Sequence, residues 1–194
     1  MGKEPAANES KKIQQAYTSI SEFFDAWSLQ QANRYLFKIL QSTMDTNPTN
    51  INPSTVLYFF KTLDSLITAV LRIQAADAYR NNAIVELDKN KLPDLTNHAY
   101  YFGRHRSSHP WQFIPRALSP KEYANPYRVF KKLAGFGNKP KWKFILNELQ
   151  DYAFFNTSFA ECADEINILS IYRLLHKLIE VAHLVDVRSN NRNN

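Results

Sequence analysis

A chain of 194 residues, 44% hydrophobic and 13% aromatic, is long enough for a substantial core and too apolar to remain disordered. Four glycines are too few for a fold built from many β-turns, and the single cysteine excludes an internal disulfide framework. The net charge of +6 leaves anionic partners open and says nothing of the fold.

In chain order, residues 1–10 read as a polar, disordered lead. The sequence there lacks the apolar stretch of a secretory signal, and Ala6 stands where a myristoylation motif takes Ser or Thr. From Ile13 the apolar positions Ile13, Tyr17, Ile20, Phe24 and Trp27 recur at one-turn spacing, the signature of a helix with one buried face. The pattern changes phase and resumes at Ala32, Leu36 and Leu40. Ser19-x-x-Glu22 and Ser28-x-x-Gln31 are both capping-box signatures. A short helix followed by a longer one fits, as does one helix with an offset at Ser28.

Asn47-Pro48-Thr49-Asn50 reads as a loop, and Asn52-Pro53 as the cap and first residue of the next helix. Its broad apolar stripe, from Val56 to Ile73 and on to about Tyr79, predicts a central, well-buried helix. Residues 96–118 show no periodicity and carry Gly103, Pro110 and Pro115, so they read as a long ordered loop. Ser119-Pro120 with Glu122, and then Asn125-Pro126, look like two successive helix starts, the second helix ending on a left-handed glycine cap near Gly135-Phe136-Gly137. Pro140 opens another helix. Ser158-x-x-Glu161 reads as the cap of a last long helix bearing Ile166, Leu169, Tyr172, Leu175, Leu178 and Val185, and Cys162 as a small buried side chain. The expected fold is all-α: a single-domain irregular bundle of five to seven helices over residues 11–187, with a loop-rich segment around 96–118 and a polar C-terminal tail over 188–194.

The charge is unevenly placed. Between Arg104 and Lys143 there are ten Lys/Arg against one acid, Glu122, a local net of +9 that leaves −3 for the rest of the chain. Trp111, Phe113, Tyr123, Tyr127, Phe130, Phe136, Trp142 and Phe144 interleave with these cations. Cations neutralise phosphates and exposed aromatic faces stack on bases, so this composition suits nucleic acid. It equally suits an acidic protein, or helices that bury their aromatic faces and solvate their lysines.

Two local patterns bear on chemistry. Arg104-His105-Arg106-Ser107-Ser108-His109 resembles the R-x4-6-H motif of HEPN-domain ribonucleases, small helical proteins, often dimeric, that act on the RNA phosphodiester. That resemblance implies Arg104 and His109 as a catalytic pair, with His105 as the polar neighbour. Arginine would stabilise charge developing on phosphate, and histidine would transfer a proton near neutral pH. Farther on, Glu180-Val181-Ala182-His183 has the spacing of the Glu-x-x-His half-site of di-metal bundles, and no second copy occurs. A solvated helix face is the expectation there. His98, His105 and His109 match no zinc-site spacing, and glycine-rich phosphate loops are absent, so neither metal nor cofactor is expected.

Together these features predict a cytoplasmic, non-enzymatic helical interaction protein without a membrane span, whose partner is an acidic protein or nucleic acid. The expected contacts are Arg104, Arg106, Lys131, Lys132, Lys139 and Lys141, with Trp111 and Trp142 as aromatic anchors. The alternative is a HEPN-like ribonuclease or toxin acting through Arg104 and His109.

Overall fold

Local sequence signals place most of the helix boundaries seen in the computed structural model, which describes residues 4–44, 50–76, 114–154 and 167–190. Seven helices and no strand occur among them: α1 (Glu4–Ala26), α2 (Leu29–Met44), α3 (Pro53–Ala75), α4 (Pro120–Ala124), α5 (Tyr127–Phe136), α6 (Lys139–Phe154) and α7 (Ile168–Asn190). The break between α1 and α2 falls at the second capping box. The amide of Gln31 donates to Ser28 Oγ (3.2 Å) while the amide of Ser28 donates to Gln31 Oε1 (3.0 Å). Asn52 caps α3 by accepting from the Ser54 amide (2.9 Å), with Pro53 in the first turn. Asn138 and Asn167 cap α6 and α7 in the same manner, through the amides of Lys141 and Ser170.

Several expectations need correction. Residues 4–10, read as a disordered lead, belong to α1, and the capping signature at Ser19 lies inside that helix, where its amides already have helical partners. The helix beginning at Pro53 ends at Ala75, short of Tyr79. Gly137 closes α5 in an extended conformation (φ −175°, ψ 158°), which any residue adopts, so no left-handed cap is present there. α7 runs to Asn190, taking in Arg188 and Ser189 of the expected tail. The last long helix starts at Ile168 with Asn167 as its cap, and not at Ser158; Ser158, Glu161, Cys162 and Ile166 lie outside the described residues, as does the expected loop up to residue 113, and residues 114–119 are non-helical.

The core is continuous through the bundle. α3 packs against α1, α2, α5 and α6, and α7 against α1, α2, α4 and α5. Phe23, Trp27, Phe59 and Phe60 form an aromatic cluster between α1 and α3, and the Trp27 indole N–H donates to Thr62 Oγ1 (2.9 Å). A hydrogen bond between the hydroxyls of Tyr17 and Tyr127 (2.8 Å) links α1 to α5. The second half of α7 is the most enclosed element: every residue from Leu178 to Arg188 is buried. The central position read for α3 is therefore shared with α7. No helix among the described residues is long and apolar enough to cross a membrane.

Candidate functional site

The basic segment folds as α4, α5 and the start of α6, and its two kinds of side chain separate. Val129, Phe130 and Leu133 of α5 face the core, leaving Arg128, Lys131 and Lys132 on the outer face at one-turn spacing. At the start of α6, Lys139, Lys141 and Lys143 are exposed while Trp142 is fully buried. The Trp142 indole N–H donates to the Leu133 carbonyl (3.2 Å), and its ring packs on Phe136 at a centroid distance of 5.1 Å. Trp142 is thus a core residue joining α5 to α6 and is unavailable as the surface anchor it was expected to be. Tyr123, Tyr127 and Phe130 are also buried, and among the described aromatics of this stretch only Phe144 is largely exposed. The ammonium of Lys141 lies 4.8 Å from the Phe136 ring centroid, a cation–π contact at the surface.

Glu122, the one acid of this segment, does not dilute the outer charge. It is buried and completes the α4 capping box with Ser119. Its Oε1 accepts from Lys132 Nζ (2.7 Å) and its Oε2 from Lys177 Nζ (2.7 Å). Burial pushes its carboxyl pKa up, but the hydrogen bonds from Lys132, Lys177 and Ser119 outweigh that and hold it at about 2. Lys132, expected as a contact, is therefore already engaged with Glu122. Lys131, Lys139 and Lys141 are exposed and enter no ion pair among the described residues.

The Glu-x-x-His pair on α7 also proves to be buried, correcting the expectation of a solvated face. The carboxylate of Glu180 spans two successive backbone amides, accepting from Arg116 N at 2.7 Å and from Ala117 N at 2.8 Å. His176 Nε2 lies 3.4 Å from Glu180 Oε1. One turn on, the His183 ring packs at 5.1 Å from that of Phe24. Ser21 Oγ donates to Asp186 Oδ1. Arg188, read as part of a polar tail, is buried; it donates to the Tyr123 carbonyl (2.9 Å), with its guanidinium 5.0 Å from the Tyr123 ring centroid.

Lys177, Glu180 and Arg188 lie on one side of α7, and each grips the stretch from Arg116 to Tyr123. These polar residues fasten the start of the basic segment to the bundle. Glu122 was legible in the sequence through its capping box, whereas no sequence pattern marked Glu180 as a clamp on backbone amides. No group of three or more potential metal ligands occurs among the described residues. Arg104, Arg106, His109 and Trp111 lie outside them, as do His98 and His105. The chain matches no family model, no curated protein and no solved structure.

Proposed function

We propose that this chain is a non-enzymatic interaction protein that engages a polyanionic partner, an acidic protein or nucleic acid, through the outer face of α5 and the first turns of α6. The observation carrying this reading is the segregation within residues 116–143. The cations point outward, and the one acid is buried and paired with two lysines. Such a face produces a positive potential that steers anions. With Tyr123, Tyr127, Phe130 and Trp142 buried, recognition on these helices rests on charge far more than on base stacking.

The test uses the full chain with three labelled probes (single-stranded RNA, duplex RNA and polyglutamate), titrated from about 50 to about 200 mM salt. Binding is expected to weaken steeply with salt. The combined Lys131→Glu, Lys139→Glu and Lys141→Glu variant should lose about tenfold or more in affinity and show a shallower salt slope. Its unfolding free energy should stay within about 1 kcal/mol of the parent, because these side chains are exposed and the Lys141 contact with Phe136 lies at the surface. Absence of binding to all three probes at the lowest salt removes the proposal. RNA cleavage abolished by Arg104→Ala and by His109→Ala would replace it with the ribonuclease reading.

A further inference from the structure

We infer that a second surface, formed by the outer face of α2 and the first turns of α7, docks an acidic, apolar-rich segment of a partner protein. Phe37 on α2 and Leu169 on α7 are among the most exposed large apolar side chains of the described residues, at 53% and 54%. They belong to one patch, because half-buried Tyr172, one turn beyond Leu169, meets the Phe37 ring at a centroid distance of 6.3 Å. α2 and α7 pack against each other, so the patch is a seam between two helices and has a fixed shape. Aromatic and aliphatic side chains held in this manner are the usual energetic centre of a protein interface.

The charge around the seam selects the partner. Arg34 lies one turn before Phe37, Lys38 directly follows it, and Arg173 directly follows Tyr172; all three are exposed. None is ion-paired among the described residues. α2 contains no acid at all, and α7 contains none before the buried Glu180. An apolar centre that α2 and the first turns of α7, among the described residues, edge with cations complements a segment carrying large apolar side chains flanked by Asp or Glu.

Two other anionic occupants fit less well. Seating Phe37 and Leu169 in a lipid surface would press Gln30, Gln31 and Gln41, also on the exposed face of α2, toward acyl chains that offer no hydrogen bond, whereas a peptide backbone supplies both donors and acceptors. A nucleic acid would gain nothing from Leu169, and Phe37 and Tyr172 meet edge-on, at 64° between their planes, so they do not form parallel stacking faces.

The full chain, immobilised and used to select from a random peptide library, tests the inference. Selected peptides are expected to be acidic and rich in Leu, Phe or Trp. A synthetic peptide of the selected consensus should bind the Phe37→Ser, Leu169→Ser variant about tenfold or more weakly, a change at two exposed positions that leaves the core untouched. It should also bind the Arg34→Glu, Lys38→Glu variant weakly, with affinity regained when its acids are replaced by Lys. Charge reversal at Lys131, Lys139 and Lys141 should leave this binding unchanged, which separates the seam from the α5–α6 surface. No enrichment, enrichment of basic or apolar-poor peptides, or equal binding to the parent and both seam variants would overturn the inference. So would Phe37-dependent capture of phosphatidylserine vesicles or single-stranded RNA in place of peptide.

Discussion

Residues 176–188 of α7 and residues 128–143 of α5 and α6 are both rich in ionisable side chains, yet the bundle treats them in opposite ways. On α7, Glu180, His183, Asp186 and Arg188 are buried, and Glu180 and Arg188 are fixed to the backbone of residues 116–123. On α5 and α6 the lysines, apart from Lys132 with its bond to Glu122, stand in solvent around a buried aromatic core. Burying a charge is costly unless its hydrogen bonds are satisfied, so the charges on α7 are tied to particular partners and lock the fold. An exposed lysine contributes little to stability and keeps its charge available to another molecule. Charged residues in one protein therefore divide into fasteners and contacts, and burial makes the division.

The largest break in this comparison should come from the aromatic beneath the lysines. Trp142→Ala removes a fully buried indole and its hydrogen bond to Leu133, and should lower unfolding free energy by about 3–5 kcal/mol in urea titration. Phe144→Ala, two residues along but exposed, should fall within about 0.5 kcal/mol of the parent. Comparable losses in both would mean that the outer face of α6 is not a solvent face. Next in size is Glu180→Ala, which leaves the amides of Arg116 and Ala117 without their acceptor. It should cost about 2–4 kcal/mol, with faster hydrogen exchange at those two amides, while Glu180→Gln, retaining one acceptor oxygen, should cost less.

The smallest effect concerns Glu122 and depends on pH. Its folded pKa of about 2 lies below the ordinary 4.5, so its contribution is fully present above pH 4.5 and fades as the pH falls toward 2. The contribution should be on the order of 2 kcal/mol, because water around the exposed Lys132 weakens that pair. Denaturant titrations of Glu122→Gln and the parent between those pH values should converge at the acid end. A constant gap would show that the charge of Glu122 is not what stabilises the fold.

Much of the fold is legible in residue order. Ser28 with Gln31, Asn52 with Pro53 and Ser119 with Glu122 mark helix starts because short polar side chains satisfy amides only a few residues away. Recurring apolar positions likewise identify the buried faces of α1, α3 and α5. The basic stretch is equally plain as composition, but its use is not. Lysines flank Trp142, yet its one-turn spacing from Ile145, Leu146 and Leu149 fits a buried face, unlike that of Phe144; what the order of residues does not give is the partner, the Leu133 carbonyl and Phe136 ring of α5 that enclose the indole. The role of Glu180 is hidden for the same reason, since the amides it holds lie more than sixty residues earlier in the chain.

The sequence by itself determined the helical class of the described residues, most of their helix boundaries and a concentrated positive charge, because caps, periodicity and composition act over a few residues. Tertiary packing alone decided which charges are buried and which lysines, Lys132 and Lys177, are engaged with Glu122. It also brought Phe37 and Tyr172 from opposite ends of the chain into one exposed seam. Burial depends on the whole fold, since only neighbours distant in sequence can exclude water from a side chain.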